Sequence, residues 1–161
     1  MLKLASRVFR VFRDERATVP RWLGLTNQLY QLLTSINPTG VAARLQLAVT
    51  ALETFYIGGG VRGYLWDGRC AKAIGEFVGG CGPEAIDRNY FEQLRQFRND
   101  AVHRAGTPWT SDKDASKDVQ RVARLTEELL RLTLVIAVLN APVVCSPNFR
   151  DEWDVGSLVR P

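Results

Sequence analysis

The chain has 161 residues, enough to bury a core in one compact domain. With 46% hydrophobic and 24% charged residues it has the composition of an ordinary globular protein, not of a disordered tail or a membrane span. The formal charge of +4 arises wholly within residues 1–21, where Lys3, Arg7, Arg10, Arg13, Arg16 and Arg21 outnumber Asp14 and Glu15. The remaining body is balanced, and the cationic arm suits a polyanion such as nucleic acid or an anionic membrane surface.

Residues 2 to about 15 read as an amphipathic helix, with Leu4, Val8, Phe9, Val11 and Phe12 on one face and Lys3, Arg7, Arg10 and Arg13 on the other. That basic side is either a solvated face, an RNA-facing stripe through Arg7 and Arg10, or a membrane-surface helix. Pro20 opens a second helix, in which Trp22, Leu23, Leu25, Leu29, Leu32 and Leu33 recur at helical spacing until Asn37-Pro38-Thr39-Gly40 stops it. A third helix spans about 41–57, with Leu45, Ala48, Leu52 and Phe55 as its apolar stripe. Gly58-Gly59-Gly60 closes it as a helix cap and loop; no Gly-Lys-Ser/Thr follows, so it is not a phosphate loop.

A short helix is predicted over about 68–78. The next starts near Pro83 and reaches about residue 104, burying Tyr90, Phe91, Leu94, Phe97 and Ala101. After a hydrophilic loop, Ser116 or a neighbour caps a long helix over about 117–140, ended by Pro142. The second half of that helix is apolar nearly all round, which places it centrally or at a subunit interface. The tail has no clear period, but Phe149, Trp153, Val155 and Leu158 spaced among charges suit a segment docked on a surface. The expected architecture is all-α, a bundle of about five or six helices: a basic N-terminal helix over 1–20, the bundle over 21–141 and a tail over 142–161.

Cys70, Cys81 and Cys145 form no Cys-x-x-Cys pair, and there is one histidine. Neither a disulfide scaffold nor a zinc centre is expected, no cofactor is implied, and a reducing cytoplasm is the default. The first residues lack the features of a secretory signal, and no apolar run approaches the roughly 20 residues that span a bilayer, so no membrane partner is expected.

The chemistry concentrates in Arg98-Asn99-Asp100-Ala101-Val102-His103, which holds the lone histidine. RNA is cleaved when its own 2′-hydroxyl attacks the adjacent phosphorus. A catalyst must remove that proton, protonate the leaving 5′-oxygen and stabilise an anionic phosphorane. Imidazole exchanges protons near neutral pH, and guanidinium offers a permanently charged fork to phosphate oxygens. Asn99 and His103 are four apart and share a helix face, so the amide can orient the ring. Arg98 and His103 are about 140° apart around an ideal helix, and a single histidine cannot be both acid and base. A two-fold dimer facing two such helices resolves both points. The structural alternatives are a histidine complementing a helix C-terminus and an arginine paired with Asp100 or Glu92. Arg104 and Trp109, next to this segment, are candidates for RNA backbone and base contacts. Tyr90 and Trp66 are further aromatic candidates, although Tyr90 better suits the core.

The segment from Leu94 to His103 resembles the motif of the HEPN superfamily: an arginine followed by Asn, Asp or His, then a histidine four to six residues on at a helix end. Leu47-Ala48-Val49-Thr50-Ala51-Leu52-Glu53-Thr54-Phe55-Tyr56 is similar to the Ala-Leu-Glu-plus-aromatic helix of the Apea-like HEPN group. The run from Cys70 to Gly79 resembles its intervening short helix. Order and spacing agree over about residues 40–140. The resemblance implies a helical-bundle homodimer that cleaves RNA without a metal, with Arg98 and His103 catalytic and Asn99 the polar assistant. It also implies a place in a prokaryotic toxin or defence system, with an antitoxin or a larger complex as partner. Some members of the superfamily are inactive and serve as dimerisation, RNA-binding or protein-binding modules. Position 105 is Ala, so the subgroup with a regulatory tyrosine two residues after the histidine is not matched.

Overall fold

The structure, a computed structural model, describes residues 10, 19–35, 40–57, 66–78, 88–103, 113–146 and 149. Arg7, Arg104, Trp109 and Trp153 lie outside the described residues, as does all of the expected first helix except the helical, exposed Arg10. The described residues form an all-α bundle of six helices: α1 (Arg21–Ser35), α2 (Val41–Tyr56), α3 (Trp66–Val78), α4 (Arg88–His103), α5 (Lys113–Leu139) and α6 (Ala141–Val144). None of them is long and apolar enough to cross a membrane.

Helix α1 starts where Pro20 was expected to open it. The Pro20 carbonyl accepts from the amides of Leu23 and Gly24, both at 3.0 Å, and proline's missing N–H costs nothing before the first turn. Leu23, Thr26, Asn27, Tyr30 and Leu33 are buried, while Arg21, Leu25, Gln28 and Leu32 face out. Helices α1 and α2 pack antiparallel. The Trp22 ring meets Phe55 edge-on at 5.1 Å, and one turn along Thr26 Oγ1 lies 3.5 Å from the Ala51 carbonyl. Helix α2 buries Leu45, Ala48, Val49, Ala51, Leu52, Phe55 and Tyr56, widening the stripe read from its spacing.

Two helices begin earlier than the spacing predicts. Helix α3 starts at Trp66, where Asp67 Oδ1 accepts the Gly68 amide at 2.8 Å and its charge suits the positive helix end. Trp66 is 3% exposed and packs edge-on to Phe91 at 5.9 Å, so it is a core residue and not a base-stacking surface. Helix α5 starts at Lys113, so Ser116 lies inside it and does not cap it. Asp114 and Ala115, an acid for the first turn and the best helix former, make the extra turn favourable. At the far end the long helix stops at Leu139, close to the expected 140, and Pro142 stands at the start of α6, where its lost N–H has no helical partner to miss.

Helix α5 is central, burying Val122, Leu130, Leu134, Ile136 and Ala137. It runs in the same sense as α2: Arg44, early in α2, pairs with Glu127 at 2.6 Å, and Tyr56, at its end, pairs with Thr133 at 2.9 Å. Beyond α6 the chain returns to the core. Phe149 is buried and stacks on Trp22, with centroids 6.4 Å apart and planes 16° from parallel. If Phe149 joins the core rather than merely lying on it, Phe149→Ala will cost about 3–5 kcal/mol of unfolding free energy in a urea titration. An exposed change such as Gln28→Ala will cost under about 0.5 kcal/mol.

Candidate functional site

Helix α4 carries Arg98, Asn99 and His103 on one unbroken run of helix. Its sequence is amphipathic: Tyr90, Phe91 and Leu94 are buried, while Glu92, Gln93, Arg95, Gln96 and Asn99 are exposed. One fully buried side chain, Leu94, and three contacts with other helices anchor it. Phe91 packs on Trp66 of α3. Arg95 reaches Asp67 of α3 at 3.2 Å, tying the outer side of the helix to the start of its neighbour. The Tyr90 hydroxyl lies 2.8 Å from Thr126 Oγ1 on α5.

The direction of that last bond follows from proton counting. A threonine hydroxyl has one proton, and Thr126 donates its own to the Val122 carbonyl at 2.7 Å. Tyr90 is therefore the donor. The same relay recurs one heptad on: Thr133 donates to the Leu129 carbonyl at 2.8 Å and accepts from Tyr56 at 2.9 Å. Burial raises the pKa of both phenols, which keeps them protonated as these bonds require. The Cys70 thiol contacts the Tyr56 hydroxyl and is pushed up to about 12 by burial, only partly offset by that contact. It is a packed thiol, not a nucleophile at neutral pH.

The register of α4 distributes the motif around the helix. Arg98 falls four residues after Leu94 and seven after Phe91, in the register of the buried face. Asn99 is exposed, and His103 falls four after Asn99 and seven after Gln96, in the register of the exposed face. With the helix continuous to His103, about 140° separates the Arg98 and His103 positions along one copy. The side chains of Arg98 and His103 lie outside the described residues. Glu53, the one acid on α2, is half-buried. Among the described residues no group of three or more His, Cys, Asp or Glu side chains could hold a metal ion.

Some polar features of the bundle were not anticipated from the spacing. Thr126 and Thr133 on the buried face of α5 and Asn140 just past its end recur every seven residues, and that period is visible in the sequence. The Arg44–Glu127 pair is not, because its partners are 83 residues apart. No family model matches the chain, and neither a curated protein nor a solved structure does.

Two outcomes test this geometry. In a chain with Cys81→Ser and Cys145→Ser, Cys70 will resist a thiol reagent at pH 8 in the folded state and react once denatured. The unfolded chain ionises its thiol near 9.0 and its tyrosines near 10.0, whereas the folded forms titrate higher. The associated stability is therefore fully present below about pH 9 and lost as pH rises towards 12. Denaturation midpoints measured from pH 7 to 11 will fall in that window, and the fall will be shallower in Cys70→Ala.

Proposed function

We propose that the chain is a HEPN-type, metal-independent endoribonuclease, acting in the cytoplasm as a toxin or antiviral defence effector. What carries this reading is the placement of Arg98, Asn99 and His103 in the last turns of a helix anchored along its earlier turns. One His103 accepts the 2′-hydroxyl proton as that oxygen attacks phosphorus. The His103 of a second copy, or a water, gives a proton to the departing 5′-oxygen. Arg98 holds the phosphorane oxygens, and Asn99 orients the imidazole. The products are a 2′,3′-cyclic phosphate and a 5′-hydroxyl. Arg7, Arg10, Arg104 and Trp109 are proposed to contact the RNA outside this centre.

The register separation of Arg98 from His103 makes a second copy part of the proposal, since a groove between two α4 helices lets one copy's arginine meet the other's histidine. The outer side of α5 supports such a homodimer. Leu125, Leu132 and Leu139 recur every seven residues there, and Leu125 and Leu139 are 46% and 51% exposed. The same separation favours the alternative, a non-catalytic helical module for dimerisation or for RNA or protein binding. An antitoxin or a larger defence complex is the proposed regulator.

The purified protein, incubated with structured and unstructured RNA in EDTA, is expected to leave cyclic-phosphate ends, and His103→Ala and Arg98→Ala to lower the rate by at least about 100-fold. Full activity in His103→Ala, or loss of activity in EDTA, overturns the mechanism. Light scattering should give twice the 18.0 kDa chain mass, and Leu139→Arg should return it to the monomer.

A further inference from the structure

Five large apolar side chains stand exposed among the described residues: Val19, Leu25, Leu32, Leu125 and Leu139. The last two belong to the α5 seam described above. The other three lie on α1 or just before it, where Leu25 and Leu32 are 46% and 39% exposed and Leu29, between them, is partly buried. On an ideal helix Leu25, Leu29 and Leu32 share an arc of about 60°. That arc lies about 100–160° round from Tyr30, which faces Glu127, Glu128 and Arg131 of α5. The stripe therefore opens on the side of α1 turned away from α5. Trp22 extends it one turn earlier, and Phe149 covers that turn, while Leu25 and Leu32 beyond it stay exposed.

The chain itself carries a matching stripe. Leu4, Val8 and Val11 recur at spacings of four and three, as do Leu25, Leu29 and Leu32, and they too share about 60° on an ideal helix. Arg10, the one residue of this segment that the structure describes, is helical and exposed, and it falls at least about 100° from all three. Five residues, 16–20, separate the expected end of this helix from α1. A connection that short turns two helices back on each other. A hairpin centred on Thr18 sets Val11 level with Leu25, seven residues on either side, and Leu4 level with Leu32, fourteen on either side. Val8 falls beside Leu29, and Glu15 falls level with Arg21, which is exposed and opposite in charge.

We propose that residues 2–15 dock as an antiparallel helix on the Leu25–Leu29–Leu32 face of α1, seating Leu4, Val8 and Val11 on those leucines. Docking removes apolar surface from water on both sides. The tether holds the segment at roughly millimolar effective concentration, so a modest contact suffices. A helix this short is marginal in water by itself, and packing of its apolar face is what stabilises it. Lys3, Arg10 and Arg13 then stand on the outer side as a fixed cationic ridge instead of a loose arm. The docking needs nothing from the ribonuclease chemistry.

The test uses the full chain with Cys81→Ser and Cys145→Ser, which leaves only the buried Cys70. Under mild oxidation at low protein concentration, Val11→Cys/Leu25→Cys and Leu4→Cys/Leu32→Cys are expected to close a disulfide within the chain at least about tenfold faster than Arg10→Cys/Leu25→Cys, which faces away. In the natural sequence, Leu25→Asp/Leu32→Asp should speed trypsin cleavage after Arg7 and Arg10 at least about tenfold, and Leu125→Asp should not. Equal cross-linking of all three pairs overturns the proposal, as does an unchanged cleavage rate. Cross-links between chains, giving covalent dimers, overturn it by assigning the face to a second copy. If the aspartates instead speed cleavage after Arg150 alone, the C-terminal tail is the occupant and the proposal fails. It fails equally if the natural chain binds vesicles of phosphatidylserine and phosphatidylcholine, Val11→Glu abolishes that binding and the cross-links do not form.

Discussion

The packing of the bundle turns on two buried tyrosine–threonine hydrogen bonds to α5. Thr126 and Thr133 sit seven residues apart on its inner face, each committed as a donor to its own helix at Val122 and Leu129. Each leaves an oxygen that only a neighbour's donor can use, and Tyr90 of α4 and Tyr56 of α2 supply it. Apolar faces tolerate small slips and rotations, because dispersion and area burial are not directional. A buried hydroxyl that loses its acceptor costs about 1–3 kcal/mol, so these bonds hold α2 and α4 at one height and one rotation. Cys70 brings α3 to the same Tyr56 hydroxyl.

Everything proposed about chemistry inherits that rotation. With Tyr90 and Leu94 turned inward, Asn99 is turned out, and the positions of Arg98 and His103 follow at their fixed angle. A second copy is then the simplest way for guanidinium and imidazole to converge. The division of charge follows from the same packing. Where helices meet, arginines are absorbed into pairs such as Arg44–Glu127 and Arg95–Asp67. Where α5 faces outward, Arg121 and Arg124 are exposed, and neither has an ion-pair partner among the described residues.

Much of the fold was legible from residue spacing. Pro20 and Gly40 mark the starts of α1 and α2, and the apolar stripe of α2 is read correctly from Leu45, Ala48, Leu52 and Phe55. The early starts of α3 and α5 were not read. A tryptophan ahead of a glycine, and a run of Lys, Asp, Ala and Ser, look like loop until burial or a first-turn charge favours helix. The motif itself was visible as six consecutive residues. What surrounds it was not, because spacing along one helix says nothing about what a neighbouring helix or a second copy brings to it.

The sequence by itself determined that the chain is helical, which stripe of each main helix is apolar, and that a cation, an amide and the lone histidine ride on one helix. Those are consequences of a local 3.6-residue period and of residue chemistry. Only the tertiary structure decided that Tyr56 meets Thr133 across 77 residues, that Tyr90 meets Thr126 across 36, that Phe149 folds back onto Trp22, and that Arg44 pairs with Glu127. Such choices depend on how helices cross and rotate against one another. That geometry is set by the whole set of buried contacts at once and is not encoded in any single stretch of chain.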